Sequence, residues 1–342
     1  MNRSDPKVNI PRPTRFPDHR KTLLKLLADG GFHSGADLAR VLGVSRTAVW
    51  NKIREMQDLG LELHAVSGKG YRLAQPLELL DEAKIVAELS ATAKTRLAGL
   101  EIHDQLDSTN TYLMGKAAAG APGGSACLAE FQTAGRGRIG RAWQSPFGGN
   151  ICLSLLGRFA DHASVAGLSL AVGVAIIRAL RLAGLEDAGL KWPNDILWRE
   201  RKLGGILLEV SGETHGHCAV VIGIGLNVRM SPLAAQAIDQ AWVDLSQISA
   251  GQPPSRNRLA ALLLEELLQL LADYPERGLS AYLEEWRQWH CLSGREVILQ
   301  AGEKSIVGVV DGVTDEGLLL LNCAEGGLRA FASGDVRLRI NA

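Results

Sequence analysis

One short stretch near the middle of the chain constrains the protein more than any other. Residues 135–141 read GRGRIGR, and Trp143, Ser145 and Pro146 follow directly. Three glycines let the backbone adopt positive φ and approach a ligand closely, and three arginines place permanent charge in the same few residues. The stretch is therefore predicted to be an anion-holding loop. A merely solvated basic loop is disfavoured, because it would leave the large Trp143 ring in water.

The glycines of this loop also read G-x-G-x-x-G, the spacing of a dinucleotide-binding turn. Such a turn needs a strand before the loop and a helix that opens at the third glycine. Residues 127–131 can form the strand, but residues 141–150 contain Pro146 and two adjacent glycines and show no apolar period of 3.6. The sequence therefore disfavours a dinucleotide site.

Length and composition predict a protein of two or three packed domains. The 342 residues are 46% hydrophobic and 22% charged, without a run of eighteen apolar residues or a signal peptide. Five scattered cysteines without a C-x-x-C pair indicate reduced thiols. The HGH stretch at 215–217 lacks a third metal ligand nearby. We expect a soluble cytoplasmic protein without a membrane anchor or a metal site.

The net charge is zero, but the charge is unevenly distributed. Residues 1–75 carry 13 Lys and Arg against 7 Asp and Glu, a net charge of +6. The remaining residues carry 24 against 30, a net charge of −6. A basic first fifth joined to an acidic remainder places any nucleic-acid contact at the N-terminus.

Residues 18–75 have the pattern of a winged helix-turn-helix domain, after a proline-rich tail at 1–17 that is expected to be flexible. Three amphipathic helices are predicted, followed by a short hairpin that makes the wing. The predicted helices cover 18–28, 35–42 and 46–59. Ser34 and Ser45 are the expected N-caps of the second and third helices.

The exposed face of the third helix and the tip of the wing carry side chains of the types that reach phosphates and base edges. The predicted DNA-binding residues are Ser45, Arg46, Thr47, Asn51, Lys52 and Lys69. A solvated three-helix module used for protein contacts would show a similar polar face. The basic charge of this region and the wing favour DNA.

Residues 81–291 alternate predicted strands and helices and contain three polar stretches beside apolar strands. The stretches are Asp107-Ser108-Thr109-Asn110 at a helix start, Lys191-Trp192-Pro193-Asn194-Asp195 at a hairpin turn, and Lys202-Leu203-Gly204-Gly205 at a strand start. Asn227 ends a long apolar strand, where its amide can read a ligand edge. Each stretch also has a purely structural explanation as a helix cap, a turn or a solvated strand end. After residue 292, five short strands separated by turns predict a small barrel.

Together these stretches resemble the bifunctional biotin-protein ligases and biotin operon repressors of the BirA type. The resemblance covers the chain from about Lys21, in the family's domain order. It implies an α+β multidomain protein. Its predicted domains are a winged helix-turn-helix at 18–75, a class II synthetase-like α/β ligase domain at 81–291 and an SH3-like β-barrel at 292–342.

The resemblance also implies the chemistry. Family members join biotin to ATP as biotinyl-5'-adenylate and pass the biotinyl group to one lysine of a biotin carboxyl carrier protein, a subunit of acetyl-CoA carboxylase. Mg2+ would bridge the ATP phosphates. With the adenylate bound, a homodimer would place two recognition helices on operator DNA and repress the biotin synthesis genes.

Site roles follow by matching this chain to the family's motifs. The expected catalytic residues are Lys202, Arg136, Arg138 and Asp195. The expected biotin-binding residues are Ser108, Thr109, Asn110, Gln132, Gly135, Arg136, Arg138 and Lys202. The expected ATP- and adenylate-binding residues are Arg138, Arg141, Trp143, Lys191, Asn194 and Asn227. Position 139 is often arginine in relatives and is isoleucine here, which reduces the charge of the loop.

Three alternatives stay open at the level of the sequence. The nearest alternative is a ligase with little or no repressor role. Such relatives, however, lack the segment that corresponds to residues 20–73 of this chain, which is predicted to be the winged helix-turn-helix. A lipoate-protein ligase would share the central fold, but the loop at 135–141 fits the biotin family better. A ligand-sensing repressor without turnover is disfavoured because Lys202, Arg136 and Arg138 are all present.

Overall fold

The computed structural model describes residues 16–162, 165–212, 216–301, 304–333 and 336–340. All but two residues of the predicted tail at 1–17, and His215 of the HGH stretch, lie outside these ranges. Among the described residues, no helix combines the length and the hydrophobicity needed to cross a membrane. All five cysteines are free thiols.

The N-terminal elements are three helices and a two-stranded antiparallel hairpin. They are α1 Asp18–Leu27, α2 Gly35–Leu42, α3 Arg46–Gln57, β1 Leu63–Val66 and β2 Gly70–Leu73. The predicted caps are confirmed, because the Ser34 hydroxyl accepts from the Asp37 amide and the Ser45 hydroxyl from the Ala48 amide. Gly43 ends α2 with a left-handed φ of 64°, which turns the chain into α3.

The hydrophobic core of this winged helix-turn-helix is not closed by its own residues alone. Phe16 and Phe147 belong to the same buried cluster as Leu24, Val49 and Ile53. The two phenylalanine rings stack with their centroids 5.7 Å apart. Phe147 comes from the segment that follows the arginine loop, so the two parts of the chain share one packed core.

The central part is built on a seven-stranded sheet in the order β3-β4-β5-β9-β8-β7-β6. Its strands are β3 Gly99–His103, β4 Ser125–Ala129, β5 Asn150–Phe159, β6 Ala188–Lys191, β7 Asp195–Trp198, β8 Arg201–Gly212 and β9 Cys218–Asn227. Only β3 and β4 are parallel, and every other neighbouring pair is antiparallel. The hairpin formed by β6 and β7 matches the sequence prediction.

Helices cover both faces of this sheet because its strands alternate two sets of apolar side chains. The helices are α4 Glu82–Glu88, α5 Ala91–Arg96, α6 Thr109–Ala118, α7 Leu168–Leu182, α8 Pro232–Ala235, α9 Leu245–Ile248, α10 Arg256–Arg277 and α11 Ser280–Trp289. Leu153 and Leu155 share a core with α7, α10 and α11, whereas Cys127 and Leu156 share one with α6. Helix α6 therefore covers the opposite face of the sheet from α7, α10 and α11. The face covered by α6 is the one that carries the candidate site, and α6 begins at its edge.

The C-terminal part is a five-stranded antiparallel sheet in the order β13-β12-β11-β10-β14, and the number of strands is the one that the sequence predicted. Its strands are β10 Glu296–Ala301, β11 Lys304–Val313, β12 Leu319–Cys323, β13 Gly327–Phe331 and β14 Val336–Ile340. A register shift at Val310 and Gly312 bends β11. The indole of Trp192 donates to the Gly317 carbonyl (3.1 Å), which ties this sheet to the β6–β7 turn.

Candidate active site

The arginine loop is a tight hairpin. The Trp143 amide donates to the Gly135 carbonyl (2.8 Å), and the Gly137 amide donates to the Arg141 carbonyl (2.7 Å). A single 3-10 turn, Arg138–Gly140, forms its tip. A side chain at Gly135 would meet the Trp143 carbonyl oxygen at 2.6 Å, so this position requires glycine. No α-helix opens after the third glycine in the described residues, which confirms that the loop is not a dinucleotide-binding turn.

The hairpin covers a pocket whose other walls are the start of α6 and the strands β8 and β9. Ten of the predicted ligand-binding residues line it: Ser108, Thr109, Asn110, Gln132, Arg136, Arg138, Arg141, Trp143, Asn194 and Lys202. Two adjoining pockets add Lys191, Asp195 and Asn227. Gly135 is buried at the base of the hairpin. The structure therefore brings the predicted residues of five separate stretches to one place.

A cluster of two lysines and one carboxylate lies between β6, β7 and β8. Lys202 Nζ is 2.6 Å from Asp195 Oδ1, and Lys191 Nζ is 3.9 Å from Asp195 Oδ2. Burial lowers the pKa of Lys191 from its ordinary value, and the neighbouring charges of Lys202 and Arg141 add to this while Asp195 opposes it. Lys202 is thus a paired and mostly buried cation, and Asp195 is shared between two ammonium groups.

The start of α6 differs from the sequence expectation in one respect. Ser108 occupies the N-cap position, but its hydroxyl makes no cap hydrogen bond. The Thr109 amide and hydroxyl both donate to Gln132 Oε1, at 2.8 and 3.1 Å. The sequence allowed Ser108 or Thr109 to cap this helix; Ser108 takes the N-cap position without a cap hydrogen bond, and the Thr109 hydroxyl bonds Gln132 instead. Gln132 is nevertheless held against α6, as a shared ligand site would require.

Three of the predicted asparagines are engaged with the main chain. The Asn227 amide nitrogen donates to the Val243 carbonyl (3.1 Å), and the Asn194 amide nitrogen donates to the Ile206 carbonyl (2.7 Å). Asn110 donates to the Leu207 carbonyl (3.2 Å) and is buried. Their donors hold strands and loops in place. Asn110 Oδ1 accepts from the Ser154 hydroxyl and Asn194 Oδ1 accepts from Arg138, so these two side chains are held through both amide atoms.

Trp143 lines the pocket and packs against β9. Its ring reaches so close to Gly225 that a Cβ there would stand 2.4 Å from indole Cε2. Lys202 Nζ lies 6.0 Å from the ring centroid. Gly225 on β9 is therefore the residue that admits the indole, and the ring is positioned to cover a planar ligand beside the lysine.

The two arginines at the centre of the loop have different partners. Arg136 Nη2 is 2.8 Å from Glu209 Oε2. Arg138 donates to Asn194 Oδ1 (3.4 Å) and to the Ser333 carbonyl of the C-terminal part. Sequence reasoning missed Glu209, although a carboxylate in the apolar strand β8 was a signal that could have found it.

Ile139 has a φ of 55°, in the left-handed region that a β-branched residue rarely occupies. Its side chain is exposed at the edge of the pocket beside Lys191 and Leu338. Backbone strain of this kind costs on the order of 1–3 kcal/mol and persists where the surroundings impose it. The strained residue lies at the tip of the hairpin that covers the pocket.

The predicted DNA-binding residues lie on the far side of the N-terminal helices from their core. Ser45, Arg46, Thr47, Asn51 and Lys69 are exposed, and Lys52 is half-buried. Sequence reasoning missed Trp50, an exposed ring on α3 that lies 4.9 Å from the guanidinium carbon of Arg54. In the described residues, no group of three or more His, Cys, Asp or Glu side chains is arranged to hold a metal ion.

Comparison with known proteins gives three family matches along the chain. Residues 102–227 match the biotin/lipoate A/B protein ligase family, residues 19–72 an HTH domain, and residues 292–339 the biotin protein ligase C-terminal domain. The structure is similar to the biotin protein ligase from Aquifex aeolicus in complex with biotin and ATP. That similarity has a TM-score of 0.61 at 27% identity and covers 71% of this chain and 99% of that one.

Curated relatives match over nearly the whole chain. The bifunctional ligase/repressor BirA of Salmonella typhimurium is 39% identical over 319 residues, which is 93% of this chain and 97% of that protein. BirA of Bacillus subtilis is 34% identical over 325 residues, again 93% of this chain and 98% of the relative. The shared domains, fold and length lead to one conclusion. The chain belongs to the biotin/lipoate A/B protein ligase family, within the group of bifunctional ligase/repressor proteins.

Proposed function

We propose that this protein is an ATP-dependent biotin-protein ligase that also represses transcription when biotinyl-5'-AMP is bound. The observation that carries the ligase function is the Lys202–Asp195 pair beside the arginine hairpin. The biotin carboxylate must approach the α-phosphate of ATP, so two anions meet and need cations between them. Lys202, Arg136 and Arg138 line the pocket where those anions would meet.

In the first step, a biotin carboxylate oxygen attacks the α-phosphorus of ATP and pyrophosphate leaves. Lys202 contacts both reacting groups and stabilises the negative charge that develops on the phosphoryl oxygens. The hairpin then covers the mixed anhydride and keeps water away, which is necessary because the anhydride hydrolyses readily. Trp143 covers the adenylate, and Asn194 and Asn227 lie beside the adenine.

In the second step, a lysine amine of the carrier protein attacks the carbonyl carbon of the adenylate, and AMP leaves. An amide bond forms, the acyl-phosphate bond breaks, and the attacking nitrogen loses a proton. Asp195 is the residue we assign to orient the incoming amine. Its carboxylate lies in the adjoining pocket that opens toward the C-terminal sheet at Leu338. The acceptor is the biotin carboxyl carrier subunit of acetyl-CoA carboxylase.

Mg2+ would neutralise charge on the ATP phosphates, the chemistry that a hard divalent cation supplies in phosphoryl and adenylyl transfer. The carboxylates that line the adjoining pocket belong to Asp195, Glu200 and Asp239. Asp195 is paired with Lys202, and Glu200 is paired with Arg295. Asp239 lines two of the adjoining pockets without an ion pair among the described residues, so it is the side chain that would contact the metal.

For repression, we propose that two subunits pair through β8 and present two α3 helices to a two-fold operator. In the described residues, the pairing of β7 with β8 stops at Gly205. The second half of β8 is therefore paired with β9 along one edge, and its other edge has no partner strand among those residues. Val210 in that half is exposed. An unpaired strand edge with an exposed apolar residue suits pairing with a second copy. Adenylate binding beside β8 would favour this dimer.

The ligase proposal is tested by transfer of radioactive biotin to a purified carrier domain in the presence of ATP and Mg2+. Lys202→Ala is expected to slow adenylate formation about 100- to 1000-fold, the usual cost of one such charge-stabilising donor. Lys84→Ala removes an exposed lysine on α4 and serves as the control. Equal rates for the two variants would contradict the role of Lys202. Transfer of lipoate in place of biotin would contradict the substrate.

The repressor proposal is tested by gel shift on DNA from upstream of the host's biotin synthesis genes, with and without biotinyl-5'-AMP. Arg46→Ala is expected to weaken the adenylate-dependent shift and to leave biotin transfer unchanged. Sedimentation should show that the adenylate promotes dimers. Biotin transfer without any adenylate-dependent shift would leave the ligase and remove the repressor function.

A further inference from the structure

Glu209 on β8 connects the arginine hairpin to the wall of the pocket. Its Oε2 atom accepts from Arg136 Nη2 (2.8 Å) and from Asn110 Nδ2 (2.9 Å). The hairpin reaches Glu209 from one side of the pocket mouth and α6 reaches it from the other. One carboxylate oxygen therefore receives a donor from each wall.

The hydrogen bonds continue from Asn110 across the pocket wall. The Ser154 hydroxyl donates to Asn110 Oδ1 (2.6 Å) and lies 2.7 Å from Thr109 Oγ1. Thr109 in turn donates to Gln132 Oε1. Gln132 and Arg136 are four residues apart, at the base and side of the hairpin. The hydrogen bonds and the short segment that joins these two residues therefore form a closed ring around one end of the pocket. Ser154, like Glu209, was not apparent from the sequence.

The Arg136–Glu209 pair is exposed compared with the rest of this ring. The Arg136 side chain is 44% exposed to solvent and the Glu209 side chain 24%, whereas Asn110 and Ser154 are buried. An ion pair at that exposure contributes little to folding. It can open and close without disturbing the fold, because the backbone of the hairpin is already fixed by the Gly135–Trp143 hydrogen bond.

We propose that Glu209 is a positioning residue that ties Arg136 across the mouth of the biotin pocket and thereby slows the release of bound biotin. This inference rests on the proposed ligase function. Because Arg136 lines the pocket, we infer that biotin leaves past its guanidinium and that the pair opens when it does. Arg136 supplies the cation, and Glu209 sets where that cation stands.

The test is the dissociation rate of radioactive biotin from the full-length protein, chased with excess unlabelled biotin. Glu209→Gln keeps the size of the side chain and an acceptor for Asn110, but removes the charge that holds Arg136. We expect release to be about two- to fivefold faster at low ionic strength. Added salt should speed release from the wild type and leave release from Glu209→Gln nearly unchanged, because only the wild type has an ion pair to screen.

Two controls separate this role from a structural one. Glu101→Gln breaks another exposed pair, with Lys116 at 3.0 Å, away from the pocket and should leave biotin release unchanged. In a double-mutant cycle, Arg136→Gln combined with Glu209→Gln should release biotin no faster than the faster single variant. Measurements at protein concentrations where the wild type sediments as a monomer remove any effect of dimerisation through β8.

The possible outcomes are distinct. Release from Glu209→Gln at the wild-type rate, or with the wild-type salt dependence, would overturn the inference while the ligase function stands. Additive effects of the two substitutions would also overturn it, because they would show that the residues act separately. A wild-type protein that neither binds biotin nor transfers it would instead refute the proposed function itself.

Discussion

The buried pair formed by Arg256 and Glu130 offers a stability prediction with a calculable size. Arg256 Nη1 is 2.8 Å from Glu130 Oε2, and the two side chains are only 4% and 3% exposed. Arg256 also donates to the carbonyls of Asn150 (2.8 Å) and Glu78 (2.6 Å), while the Leu80 amide donates to Glu130 Oε1 (2.5 Å). The pair therefore joins α10, the start of β5 and the segment that leads from the winged helix into the ligase part.

Arg256→Met keeps most of the side-chain volume but leaves the Glu130 carboxylate buried without its cation. Removing one partner of a buried pair typically costs about 3–5 kcal/mol. That is a large share of the ~5–15 kcal/mol that stabilises a folded domain. Adding Glu130→Gln removes the unpaired charge and keeps an acceptor for the Leu80 amide. The double variant should therefore be more stable than Arg256→Met alone.

The assay is urea unfolding followed by far-UV circular dichroism, with Arg258→Met as the control. Arg258 lies two residues further along α10 and is exposed, so its loss should change the free energy of unfolding by less than about 0.5 kcal/mol. An Arg256→Met cost similar to that of the control would refute the reasoning. A double variant less stable than Arg256→Met would do the same, because it would show that the stranded charge was not the cause.

Two further predictions concern the pocket. Gly225→Ala should raise KM for ATP about tenfold or more, because the added Cβ would stand 2.4 Å from the Trp143 ring and force the ring to move. Gly99→Ala is the control. Its added Cβ meets nothing within 4 Å, so KM should not change. Asp195→Asn should shift the alkaline fall of adenylate formation to lower pH. The negative charge of Asp195 raises the pKa of Lys191 against the effect of burial, so its removal lets Lys191 lose its proton earlier; an unshifted pH profile would contradict this.

Local signals in the sequence predicted most of the elements, whereas the grouping of the site residues came from the resemblance to the ligase family. Hydrophobic periodicity identified α3, and the serine caps fixed where α2 and α3 begin. The turn residues between β6 and β7 placed Asp195, and the apolar run before Gly225 identified β9. These signals depend on neighbours in the chain, so they can be interpreted without knowing which elements pack together.

The contacts that the sequence did not reveal all join distant segments. Glu130 and Arg256 are 126 residues apart, and Arg136 and Glu209 are 73 apart. Nothing local distinguishes these side chains from solvated ones, since their pairing depends on which strands and helices become neighbours. The hydrogen bonds from Thr109 to Gln132, 23 residues away, escaped the sequence for the same reason.

The Phe16–Phe147 stack has a consequence for the cooperativity of unfolding. The winged helix is a separate domain along the sequence. Its core nevertheless includes the ring of Phe147, which comes from the segment that follows the arginine hairpin. Local opening of either part therefore exposes apolar surface of the other, which raises the free energy of opening for both. Amides of α1 and of the start of β5 should exchange with solvent as one unit. A subglobal opening that frees the DNA-binding helices would also loosen the cover of the adenylate.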